Sequence, residues 1–185
     1  MILTRNSSYV DSYYQLAKMG QVFTANAVVT APVAYSTAAG IGGPLLWNNT
    51  GPSAGGNGAV VALILGLSVA WTTAPAATGE LGITWGSGQT SAPTSTTAID
   101  GVACTLPGFS GPDCNVYRVG TVANAGSTIL VTHSISTAGT PSQSVFVPLD
   151  GLVQVPPGCW AAVAGAAAIA SLVARISLVW AEVSL

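Results

Sequence analysis

From residue 21 onward the chain alternates between short apolar runs and clusters of Gly, Pro, Asn and Ser. The runs QVFTANAVVTAPV, PLLWN, AVVALILGLSVAW, LGITW, NVYRVGTVA, STILVTHSI, QSVFVPL, LVQV, CWAAVAG and SLVARISLVWAEVSL are rich in β-branched and aromatic residues. Bounded by turn formers, they read as strands. In the last run Leu172, Ala174, Ile176, Leu178 and Trp180 share one side, while Val173, Arg175, Ser177, Val179 and Ala181 share the other, with Arg175 marking the wetter face. The run from Ala59 to Trp71 is apolar at both parities. Val60, Val61, Ile64 and Val69, with Gly66 inside, favour a strand over a buried helix. Such a strand needs cover on both faces, which predicts the opposing sheet on one side and a neighbouring subunit on the other.

Ahead of these runs the period changes. SSYVDSYYQLAKM, residues 7–19, predicts a helix capped by Ser7 or Ser8, with Asp11 in its first turn, Lys18 in its last and Gly20 as its stop. Tyr9, Tyr13 and Leu16 fall on one face, too small to build a core and so expected to dock on a partner surface. The polar connections TTAPAATGE, GSGQTSAPTSTTAIDG, LPGFSGPDC and STAGTPSQS suit Greek-key crossovers and exposed rims, and no period repeats. The expected fold is all-β, a two-sheet antiparallel sandwich of jelly-roll type over residues 21–185, preceded by a helix-bearing N-terminal arm over residues 1–20.

Charge changes the picture. Only 5% of the 185 residues are charged, four basic and six acidic, while 50% are hydrophobic. Soluble domains usually carry about 25% charge, so much of this surface is expected to lie against other subunits. The longest uncharged apolar stretches, Ala59 to Trp71 and Cys159 to Ala174, fall short of the ~20 residues of a spanning helix, so no membrane association is expected. MILTRNSSYVDSYY has no continuous apolar stretch of a secretion signal, which points to an intracellularly made, soluble, assembling protein. Arg5, Lys18, Arg118 and Arg175 are scattered and cannot form the basic stripe that nucleic acid requires.

Candidate chemistry is sparse. GPSAGGNG, residues 51–58, resembles a phosphate cradle only in its glycines: AVVALI follows it instead of Lys and Ser or Thr, and it leads into a strand. It is expected to be a turn, and no cofactor is expected. His133 alternates with Val131 and Ile135 and is expected to be packed or interfacial, with no ligand spacing for a metal. Glycosidase chemistry would need an acid pair such as Asp100 with Asp113, which nothing selects, and Ser87 in WGSGQ misses a nucleophile elbow by one residue. No enzyme is expected. Four of the five tryptophans begin or end apolar strands and are expected in the core or an interface; Trp85, beside Gly86, Ser87 and Gly88, is the candidate for ligand contact. Cys104, Cys114 and Cys159 are either three reduced thiols, with Cys159 packed in the core, or include a Cys104–Cys114 disulfide closing CTLPGFSGPDC.

The segments SYYQLAKMGQVFTANAVV, GGPLLWNNTGPSAGGNGAVVALILGLSVAW and VQVPPGCWAAVAGAAAIASLVARISLVWAEV together resemble a group of small bacteriophage virion proteins. That group has a G-x-V-F segment, an LLWNP-x-G-S-G turn and a late PPG segment. This chain departs from it with NNT at Asn48 to Thr50, and residues 72–143 match nothing in the pattern. The resemblance implies a structural protein of the virion, made in the host cytoplasm and placed on the capsid surface. It implies a capsid decoration (cement) protein that forms a homotrimer and clamps neighbouring capsomers of the major capsid protein. The alternative is a receptor- or glycan-binding module of a phage fibre or tail, which predicts exposed aromatics in the loops around Trp85 and Phe109.

Overall fold

The structure is a computed structural model that describes residues 14–50, 59–137 and 144–185. Residues 14–18 are helical, the described end of the expected helix, and Met19 N donates to Gln15 O at 3.0 Å before the chain turns at Gly20. Tyr9, Tyr13 and the GPSAGGNG turn lie outside the described residues.

Among the described residues eleven strands follow, and they pair from the ends of the chain inward. β1 (Val22–Thr30) lies antiparallel to β11 (Val173–Ser184), and β2 (Ile41–Trp47) to β10 (Trp160–Gly165). Likewise β3 (Val60–Thr73) pairs with β9 (Ser144–Val155), and β4 (Gly79–Gly86) with β8 (Ile129–Ile135). Successive pairs fall alternately in two sheets, so a long hairpin is rolled into a sandwich, the nested pairing of a jelly roll. The remaining strands are an insertion between β4 and β8. β5 (Thr94–Ala98) and β7 (Asn115–Thr121) extend one sheet beyond β2, while β6 (Gly101–Cys104) extends the other beyond β1. Sheet A is therefore β6-β1-β11-β3-β9 and sheet B is β5-β7-β2-β10-β4-β8.

Two of these strands depart from the sequence reading. β5 arises in TSTTA, where a polar loop was expected, and β6 in GVAC, which was assigned to no strand; both are edge strands with largely exposed residues, held by pairing to β7 and β1. QSVFVPL and LVQV, expected as separate strands, join into β9 through Asp150 (φ 48°) and Gly151 (φ 75°), a local left-handed excursion that the strand absorbs.

The core lies between the sheets. Ile64, Leu67, Val69 and Trp71 from β3 meet Ile176, Leu178 and Trp180 from β11 and Leu81 and Ile83 from β4. On β11 the expected parity holds as far as Val179. Ala181, expected on the wetter face, is fully buried just past a register shift between Val179 and Trp180. β2 and β10 are instead buried at every position. Their second face carries a smaller cluster of Ile41, Leu45, Trp47, Val122, Trp160 and Ala162, turned away from sheet A. Three connections form a roof over it, through Val33 and Ala38 after β1, Gln89 after β4 and Val122 after β7. Gln89, 3% exposed, ties the roof together: its N–H donates to Gly158 O (2.9 Å), its Nε2 to Ser91 O (2.6 Å), while its Oε1 accepts from Ala123 N (2.7 Å) and its backbone O from Trp47 Nε1 (3.1 Å).

Candidate functional site

Three places combine exposure with chemical character. The first is a cleft of about 540 Å³ where the roof meets the ends of β4, β9 and β10, lined by Trp85, Ser87, Asn124, Ser127, Gln154 and Cys159, with Gly86 and Trp160 in its wall. Strand parity sends Leu81 and Ile83 into the core, and Trp85 follows at the strand's end, half-buried opposite the small Ala161. Gly86 is required next to it. A Cβ there would fall 2.8 Å from Cε2, Cζ2 and Nε1 of Trp160, so only glycine lets that indole lie against the backbone. Trp160 is fully buried and its Nε1 has no hydrogen-bond partner. Asn124 Nδ2 donates to Ser87 O at 3.3 Å, and no residue lining the cleft is charged.

The second is a smaller cleft of about 230 Å³ between the end of the arm and the loop joining β6 to β7, lined by Gly20, Phe109, Asp113 and Glu182 among others. Glu182 is a buried residue of β11. Its carboxylate accepts from Asp113 N (2.7 Å), Cys114 N (3.1 Å) and Trp180 Nε1 (3.0 Å), fastening the loop to β11. Burial and then the neighbouring Glu182 charge push the Cys114 thiol far above its ordinary range. Cys104 and Cys114 are not bridged: Cys104 Sγ donates to Gly20 O and accepts from Leu106 N, each at 3.4 Å. Phe109 is 52% exposed, yet its ring lies over Gly20, which has φ +70° and no room for a Cβ. Trp85 and Phe109 therefore line separate clefts with no residue in common.

The third is the face of sheet A turned away from the core. On β3, Val61, Leu63, Leu65, Ser68 and Ala70 are half-buried between core-facing neighbours. Val179 and Ser177 continue this face on β11, with Arg175 its charged member there. On β9, Phe146 (60% exposed) lies against Gly66, and Leu152 is 73% exposed. Strand 59–71 was expected to be covered on both sides; within one chain the opposing sheet covers one of them. Leu16, in the arm, is half-buried.

The other sequence candidates are absorbed by the fold. Asp100 accepts from Val28 N (2.8 Å) and pairs with Arg118 (3.4 Å), while Asp113 lies beside Glu182, so the two acids have different partners. His133 stacks on Trp71, ring centroids 5.3 Å apart, and its Nε2 is buried without a partner. Val131 does not share its face, because a register shift in β8 between the partners of Leu81 and Gly82 turns Val131 outward to 43% exposure. Cys159 is half-buried, packing against the core while it also lines the cleft. Among the described residues no group of three His, Cys, Asp or Glu side chains could hold a metal ion, and no helix is long and apolar enough to cross a membrane. The chain matches no family model and no curated protein. Sequence reasoning missed Gln89, Asn124, Ser127 and Gln154, which come together only through the roof and the sheet edge and carry no local signal.

Proposed function

We propose that this chain is a non-enzymatic structural protein of a bacteriophage virion, a capsid decoration protein that assembles as a homotrimer and clamps neighbouring subunits of the major capsid protein. The observation that carries the reading is the apolar outer face of sheet A, running from Leu63 and Val179 to Phe146 and Leu152. A contiguous apolar face marks an interaction surface, and a chain with ten charged residues in 185 has little else to keep copies apart. Burial of that face between symmetric copies removes it from water. A trimer that binds only the mature shell stabilises that state by its binding free energy. The turn and strand motifs that resemble those of phage virion proteins support membership of a virion.

The test is light scattering of the purified protein, with Leu63→Glu as its partner. The wild-type chain is expected to be trimeric and Leu63→Glu, a change on a half-buried outward position, monomeric with unchanged far-ultraviolet circular dichroism. Co-sedimentation of the wild type with undecorated shells then tests the clamp. A wild-type monomer at micromolar concentration would overturn the reading.

A further inference from the structure

We propose that the cleft beside Trp85 binds a neutral saccharide. Its volume of about 540 Å³ suits a ligand of one to a few sugar rings, within the ~300–1,000 Å³ of small-molecule sites. The lining chemistry selects the class. Trp85 offers a half-buried aromatic surface, the kind of surface on which an apolar C–H face packs. Around it Ser87, Asn124, Ser127 and Gln154 present hydroxyls and carboxamides, groups that donate and accept at once, as sugar hydroxyls do.

Alternatives fit less well. A phosphate, carboxylate or ammonium ligand would leave its charge unpaired, because none of the lining residues is charged. A wholly apolar ligand would desolvate the amides and hydroxyls without replacing their hydrogen bonds. The wall is shaped by a buried indole. Trp160 Nε1 is a buried donor with no acceptor, an uncommon condition for a buried polar group, and its ring lies against Gly86, itself a cleft residue. Trp160 itself is 0% exposed, so it shapes the wall of the cleft and does not contact the ligand.

The site does not rest on the assembly reading. Trp85, Ser87, Asn124 and Ser127 belong to sheet B and its roof, and Gln154, on β9 opposite Leu63, is where the cleft meets the outer face of sheet A. A monomer in light scattering would remove the assembly reading and leave the cleft as it is.

The experiment uses the full chain and a panel of neutral di- to pentasaccharides of glucose, galactose, mannose and N-acetylglucosamine, read by saturation-transfer NMR and by tryptophan fluorescence. At least one family is expected to bind saturably and to perturb the fluorescence, with its sialylated or phosphorylated counterpart binding at least tenfold more weakly. Trp85→Ala is expected to weaken binding on the order of tenfold. Because Trp85 also packs against the core, Asn124→Ala and Gln154→Ala serve as variants that leave the fold intact, each expected to weaken binding severalfold at unchanged circular dichroism. Absence of binding across the panel, binding unchanged in all three variants, or equal binding of the anionic counterparts would each overturn the proposal.

Discussion

Replacing Asn48 with alanine should unfasten the two sheets at one end of the sandwich. Asn48 is fully buried at the end of β2 in sheet B. Its Nδ2 donates to Val60 O (2.8 Å) at the start of β3 and to Val155 O (2.7 Å) at the end of β9, both in sheet A. Its Oδ1 accepts from Thr50 N (3.1 Å) and Thr50 Oγ1 (2.6 Å). Truncation removes all four bonds, each contributing a net ~1 kcal/mol. Val60 O keeps Thr50 Oγ1 at 3.4 Å, which offsets part of the loss. The expected destabilisation is about 3–4 kcal/mol, and at ~2–4 °C per kcal/mol for a chain of this size Tm should fall by roughly 6–16 °C. Asn48→Asp keeps the bonds from Thr50 but turns a second acceptor toward two carbonyls. Burial, with that second oxygen facing two carbonyl acceptors, raises the folded-state pKa of the carboxyl above its unfolded value of about 3.9. The stability held by the protonated form is therefore fully present below about pH 4 and lost as pH rises, so this variant should be weaker at pH 7 than at pH 4 relative to wild type. Scanning calorimetry at one fixed protein concentration checks both, since assembly makes Tm concentration-dependent. A Tm for Asn48→Ala within 2 °C of wild type would refute the reasoning.

Glu182→Gln retains one acceptor oxygen in place of a carboxylate that receives three N–H donors. At ~1.5–3 kcal/mol per bond to a charged group, Tm should drop by several degrees, and amide exchange should quicken across residues 105–114. Cys114 should resist thiol reagents in the native wild-type protein and react measurably faster in Glu182→Gln, as an Ellman assay at pH 8 would show. Because its folded pKa is raised, by burial first and by Glu182 next, the stability that the neutral thiol contributes is present below its unfolded pKa of about 8.5 and lost above it. Cys114→Ala should therefore flatten the alkaline decline of Tm, a comparison made between pH 8 and 10. Removing residues 1–19, ahead of the Gly20–Phe109 contact, should leave a β-rich oligomer that no longer co-sediments with undecorated shells; normal co-sedimentation would place the attachment on the sandwich instead.

The sequence by itself determined where most strands run and which side of β11 faces the core, because burial on a strand is a periodic property of near neighbours. Leu172, Ala174, Ile176, Leu178 and Trp180 are all buried, and Arg175 is exposed on the other face. It also marked Trp85 through its own surroundings, an aromatic residue at a strand end followed by Gly-Ser-Gly. Edge strands β5 and β6 were invisible because their residues bury little, and only pairing with β7 and β1 makes them strands. Parity misled at Val131 and Ala181, where register shifts reset the alternation. The full burial of β2 and β10 came from a roof of three loops, and apolar residues alone could not distinguish loops from a second subunit as the cover. Asn48 bonds across 107 residues to Val155, and Glu182 across 68 to Cys114. A hydrogen bond at such separation depends on which strand ends the rolled hairpin brings together, so only the tertiary structure decided that these polar residues would be buried and the Trp85 cleft completed.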